Sequence, residues 1–167
     1  MPPTDRRALL PLLLASPALG CQAEPRPLSC FPGEVLVATP RGEAPINTLG
    51  TGDTVWAVDL EGGRLVEAAV AFRWDTFGAE LLTLRADGHE LKTTPTHRLR
   101  DAEGDRWVRA GALRDGDVIL ARDQLLVSTQ AVTVSPAERQ EPPIDVHSLR
   151  LEGAHHAFIA GGLVVGE

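Results

Sequence analysis

The chain has 167 residues, 43% of them hydrophobic and 23% charged, with a formal net charge of −7 at pH 7. That balance belongs to a globular chain and excludes an intrinsically disordered one. The acidic excess, with no basic patch carrying interleaved aromatics, excludes binding to phosphate backbones, so no nucleic-acid partner is expected. There is room for one ordinary domain and a leader. A domain of about 140 residues buries roughly two-thirds of its unfolded surface and needs no staples.

Residues 1–20, opening MPPTDRRALL, read as an export signal. Arg6 and Arg7 supply the charged start, Ala8 to Ala15 the apolar stretch, and Ala18-Leu19-Gly20 the small-residue exit. The apolar stretch is shorter than the roughly 20 residues a bilayer span needs. Pro11 and Pro17 would break a buried helix. Ala18-Leu19-Gly20-Cys21 resembles a bacterial lipobox, although Leu is missing three residues before the cysteine. That motif implies a lipidated Cys21, a membrane partner through its lipid, and a place in the cell envelope from which release is possible. Arg6-Arg7 also resembles a twin-arginine signal, so the export route stays open. Residues 21–29 form a tether, with Pro25 and Pro27 and no periodicity. A disulfide between Cys21 and Cys30 is the alternative use of the two cysteines in an exported chain.

From Cys30 onward, short apolar runs alternate with Gly, Asp and Pro. The runs are Val35-Leu36-Val37, Val55-Trp56-Ala57-Val58, Leu81-Leu82-Thr83-Leu84, Val118-Ile119-Leu120 and Leu125-Leu126-Val127. Pro40-Arg41-Gly42, Glu61-Gly62-Gly63, Asp87-Gly88 and Asp115-Gly116 punctuate them, which predicts an all-β domain over residues 30–167. Val108 to Asp115 is the one window that reads as helical. Leu49-Gly50-Thr51-Gly52-Asp53-Thr54-Val55 recurs 64 residues later as Leu113-Arg114-Asp115-Gly116-Asp117-Val118-Ile119. A Gly-Asp turn feeding a buried strand explains each copy, and the two together suggest a duplicated β unit.

A cysteine nucleophile needs a thiolate and a proton acceptor, and Cys30 with His89, His97, His147, His155 or His156 offers candidates. Three segments then resemble the Hint domain of inteins and Hedgehog proteins, here of a bacterial intein-like type. CFPGEVLVATPRG resembles its first block, with the nucleophile, a Gly three residues on and a strand. KTTPTHRL carries the T-x-x-H motif at Thr94 and His97. DVHSLRLEGAHHAFIAGGLVVGE resembles the final blocks, with His156-Ala157-Phe158 as H-x-F. The resemblance implies a pseudo-twofold β horseshoe of short strands.

It also implies self-cleavage, a single turnover on the chain itself as an autoproteolytic domain. The Cys30 sulfur attacks the carbonyl of Ser29 and converts the Ser29–Cys30 amide to a thioester. His97 serves the leaving nitrogen, Thr94 bonds around the scissile carbonyl, and His156 stands near the nucleophile or assists a later step. Water or an external nucleophile resolves the thioester. No cofactor is implied, the substrate is intramolecular, and a monomer is expected. Inteins end in His-Asn; here Gly166-Glu167 stands there and ends the sequence, so cleavage without splicing is expected. Ser148 stands where active members carry an Asp that assists the cysteine, and a serine is no carboxylate base at neutral pH. Asp145 falls on the opposite side of a regular strand. The alternative is therefore a non-catalytic Hint-fold envelope lipoprotein that binds a partner. A zinc site is set aside, because His155 and His156 would point to opposite faces of a strand.

Overall fold

The computed structural model describes residues 29–77, 80–140 and 144–167, with the backbone alone for 136–140. The export signal, the lipidation site at Cys21 and the tether as far as residue 28 lie outside the described residues. Among the described residues Cys30 carries a free, buried thiol.

The turn residues cut the described residues into fourteen strands: β1 (Phe31–Pro32), β2 (Leu36–Thr39), β3 (Gly42–Pro45), β4 (Thr54–Asp59), β5 (Arg64–Phe77), β6 (Leu81–Ala86) and β7 (His89–Thr93). Then come β8 (Arg98–Arg100), β9 (Trp107–Arg109), β10 (Val118–Arg122), β11 (Thr129–Gln140), β12 (Asp145–Leu151), β13 (Ala157–Ala160) and β14 (Leu163–Gly166). The chain is all-β, as its apolar runs predict. The window from Val108 holds no α-helix: it contributes to β9 and to a single 3-10 turn at Ala110–Ala112. Leu125-Leu126-Val127 is not a strand either. Asp123 closes a turn there by accepting the Val127 N–H at 2.9 Å and the Ser128 hydroxyl at 2.9 Å. The turn leaves Leu125 80% exposed and Leu126 at a φ of 55°.

The main strand path runs β1-β12-β5-β4-β13-β14-β10-β11-β6-β7, so that β4-β5-β12-β1 on one side of the β13–β14 hairpin answers β10-β11-β6-β7 on the other. The Gly-Asp echo is its local signature. The Gly50 N–H reaches the Asp53 carboxylate at 2.8 Å, and the Arg114 N–H reaches that of Asp117 at 2.8 Å. Gly52 N–H donates to Val70 O at 2.9 Å, and Gly116 N–H to Val134 O at 3.0 Å. Gly52 and Gly116 hold φ values of +90° and +87°, a conformation that glycine adopts without steric cost. Each echo follows a 3-10 turn, Ile46–Thr48 in one half and Ala110–Ala112 in the other.

The outer strands are exchanged between the halves. β6 follows the first half in sequence but pairs with β11 of the second, while β12 follows the second and pairs with β5 of the first. The β13–β14 hairpin lies on the axis, turning at Gly161-Gly162, and every residue of both strands is buried. Such continuous apolar strands are those covered on both faces. Phe31 and Phe158 meet edge to face in this core, with centroids 6.2 Å apart.

Candidate active site

β1 is only two residues long and lies along β12, with Phe31 opposite His147 and Pro32 opposite Val146. The same antiparallel register carried back one residue puts Cys30 opposite Ser148, on the face shared with Val146. Cys30 is fully buried and clusters with Leu81 and Val146. Burial disfavours its thiolate and pushes the thiol up to about 11. Ser148 is also buried, and its hydroxyl has no hydrogen-bond partner among the described residues.

The two ends of the strand path meet at this residue. The Cys30 N–H donates to Thr94 Oγ1 at 3.1 Å. Its carbonyl accepts the Thr94 N–H at 3.0 Å and the Thr93 hydroxyl at 3.2 Å. Thr94 therefore grips the amide nitrogen of the Ser29–Cys30 bond. Thr93 was not singled out from sequence, although the doubled threonine in KTTPTH was the visible signal.

His97 closes the next turn, donating its N–H to Thr94 O at 3.1 Å and accepting the Ala110 N–H at 2.7 Å. The first half repeats this turn: Val35 N–H donates to Pro32 O at 3.1 Å, and Val35 O accepts from Ile46 at 2.8 Å. His97 thus occupies in one half the place that Val35 takes in the other. Its ring is fully buried and packs on Phe31, with centroids 4.1 Å apart at 44°. Burial, helped by the charge of Arg98, drives its pKa from 6.5 down to about 3. The backbones of Gly166 and Ser29 oppose that shift by standing close to the ring. Among the described residues neither ring nitrogen has a well-aligned hydrogen-bond partner. His97 is consequently neutral at pH 7 and borders both the Ser29 backbone and the last strand.

His156 stands outside this buried cluster. Its side chain is 60% exposed, and its Nδ1 lies 2.9 Å from Glu167 Oε2. The other carboxylate oxygen of Glu167 accepts the Leu151 N–H at 2.5 Å. Glu167 was seen in the sequence only as a departure from Asn; its pairing with His156 depends on the β13–β14 hairpin. A second pairing was also missed. His147 Nδ1 lies 2.7 Å from Asp75 Oδ1, and Arg73 holds the same carboxylate through Nε at 2.9 Å and Nη2 at 3.2 Å. The hydrogen bonds from His147 and Arg73 keep the Asp75 carboxyl below its usual range.

This clamp explains the glycine three residues after Cys30. A Cβ on Gly33 would lie 2.7 Å from Asn47 Nδ2 and 3.0 Å from His147 Nε2. Because Asp75 fixes the imidazole, it cannot swing away. Gly33→Ala is expected to cost about 1–3 kcal/mol, the usual range for overpacking, in urea denaturation. A change under about 0.5 kcal/mol would show that the turn yields freely. A cleft of about 340 Å³ is lined by Glu34, His89, Lys92 and Arg122 among others, and includes none of Cys30, Thr94 and His97.

No protein-family profile matches the chain, and no curated protein matches it. Solved structures do. A bacterial intein-like domain from Clostridium thermocellum is similar with a TM-score of 0.73 and 22% identity, over 84% of this chain and 99% of that one. A DnaB intein from Synechocystis sp. PCC 6803 is similar at 0.74 and 19%, over 83% and 98%. A DnaX mini intein from Spirulina platensis is similar at 0.71 and 23%, over 83% and 99%. At such identities the likeness concerns the fold. The chain has the Hint-type fold that inteins share.

Proposed function

We propose that this Hint-type domain cuts its own chain at Ser29–Cys30 by a Cys-dependent N-to-S acyl shift, without splicing. The observation that carries the reading is the set of groups around one peptide bond. Thr94 holds the amide nitrogen at 3.1 Å, His97 borders the Ser29 backbone, and the Cys30 thiol follows directly. In the proposed step the Cys30 sulfur, having lost its proton, bonds to the Ser29 carbonyl carbon. The C–N bond then breaks, the electron pair stays on nitrogen, and a proton delivered past His97 makes it the α-amine of Cys30. A thioester joins Ser29 to the sulfur. Amide nitrogen leaves poorly unless protonated, which is why a histidine beside it matters. Glu167 supports cleavage without splicing, because its side chain has no amide nitrogen to cyclise.

The sequence motif at Cys21 supports a further part of the reading. With a lipid there, the tether would hold the domain near a membrane, and the cut would free it into the surrounding compartment of the envelope.

One mass spectrum tests the chemistry. Purified protein treated with hydroxylamine is expected to yield a fragment beginning at Cys30 and a Ser29 hydroxamate. The fragment should be missing in Cys30→Ala and reduced in His97→Ala. Equal amounts of fragment from Cys30→Ala would assign the cut to a host protease. The rival reading, a non-catalytic binding domain, draws on the unpartnered Ser148 hydroxyl beside a thiol pushed up to about 11. It predicts no hydroxamate at all.

A further inference from the structure

We infer that the cleft between β7 and the β13–β14 turn is a binding site for a small zwitterion, a molecule of amino-acid or dipeptide size with one carboxylate and one ammonium group. Its volume of about 340 Å³ lies at the lower end of the range for small-molecule sites, about 300–1,000 Å³. The walls are backbone held by hydrogen bonds. Gly161 N–H donates to Leu36 O at 2.8 Å, and Arg122 N–H donates to Gly162 O at 2.9 Å. Gly161 and Gly162 hold φ values of +56° and +78°, and neither has room for a Cβ. One on Gly161 would lie 2.7 Å from Glu90 O, and one on Gly162 would strike the His89 ring. The bare turn therefore lets β7 close against it and brings His89 and Arg122 together at Gly162.

The charges then select the ligand. Arg122 and His89 form the donor side. Arg122 Nε is buried, so the Nη end is what meets the cleft, and Glu43 takes Nη2 there at 3.3 Å. Burial and the nearby Arg122 charge hold His89 below its usual pKa, against the pull of Asp87 and Glu43. A carboxylate lodged between the two would bond the guanidinium fork and offset that repulsion. Glu34 forms the acceptor side. It lies 3.6 Å from Lys92 Nζ, longer than a hydrogen bond, and its carboxylate has capacity left for an ammonium. Each glutamate in the walls is matched by one cation: Glu34 by Lys92, Glu43 by Arg122 and Glu90 by Arg85. That balance disfavours a ligand with net charge, such as phosphate or a diamine, and admits one whose two charges cancel.

The test is a titration of the full chain followed by NMR, with glycylglycine as the probe and acetate, ethylammonium and phosphate compared at equal ionic strength. Every lining residue follows Cys30, so a cut at Ser29–Cys30 leaves the cleft whole and the outcome is independent of the self-cleavage reading. Glycylglycine is expected to shift the amide resonances of Gly161 and Gly162 saturably. It should also raise the His89 pKa, because an anion beside the imidazole favours its protonated form. Acetate and ethylammonium each carry half of the pattern and should bind at least about tenfold more weakly. Arg122→Gln and Glu34→Gln are each expected to weaken glycylglycine binding about tenfold. Glu34 is 60% exposed, so its variant keeps the fold and tests the site even if Arg122→Gln does not. Acetate binding as tightly as glycylglycine overturns the zwitterion assignment, and so does tighter binding of phosphate. An affinity unchanged in Glu34→Gln overturns it as well. No saturable shift up to about 50 mM glycylglycine, far beyond a millimolar dissociation constant, overturns the site itself.

Discussion

Hydroxylamine-induced cleavage at Ser29–Cys30 is expected to quicken about tenfold per pH unit between pH 7 and pH 10, and Cys30→Ala abolishes it. The cause is the burial of the thiol. Held at about 11, Cys30 is ionised in only about one molecule in ten thousand at pH 7. The thiolate is the nucleophile, so the rate follows its fraction and rises with unit slope until the pH nears the thiol's own pKa. Hydroxylamine is uncharged across this range and adds no slope of its own. An ordinary exposed cysteine would level off near pH 8.5. Rates measured from fragment appearance, with circular dichroism confirming the fold at each pH, check this. A plateau at or below pH 9 would mean that a base in the site depresses the thiol.

His97→Leu is expected to remove acid sensitivity from the fold and activity from the site. The ring has an ordinary pKa of 6.5 when exposed and about 3 in the folded chain. Between those values the unfolded chain binds a proton that the folded chain refuses. Stability tied to His97 is therefore complete above pH 6.5 and falls as pH drops toward 3. The loss is about 1.4 kcal/mol per pH unit, or about 3 kcal/mol by pH 4.5. Leucine has a similar volume and no ring nitrogens, so urea denaturation at pH 7 and pH 4.5 should show the variant escaping that loss. At pH 7 it should be no less stable than the wild type, because two unpartnered buried nitrogens are gone. Cleavage should fall by about 10² to 10⁴. Parallel acid destabilisation of both chains would show that the folded state accepts a proton on His97.

Much of this was legible because it is local. A Gly-Asp turn is capped by its own aspartate, so Gly52-Asp53 and Gly116-Asp117 announced the duplication without any distant contact. The T-x-x-H segment was equally readable, since Thr94 and His97 belong to one turn. Leu125-Leu126-Val127 misled because hydrophobicity alone does not distinguish a strand from a turn that Asp123 closes. The match between His97 and Val35 depends on backbone hydrogen bonds, and no likeness of side chain signals it. Glu167 with His156, and Asp75 with His147, come together only through strand register, which the chain's linear order does not contain.

The exchange of β6 and β12 would govern when the proposed chemistry can begin. Cys30 directly precedes β1, which has no ladder partner until β12 is made, and Gly166 must arrive before His97 is sealed. At translation speeds of about 5–20 residues per second, the 137 residues that follow Cys30 take roughly 7–27 s to emerge. Throughout that interval the nascent cysteine has neither its β12 ladder nor a buried histidine beside it. On the proposed reading, a half-made chain is kept from cutting itself by this topology. Reordering the gene, with β12 moved ahead of β8, would start the clock early.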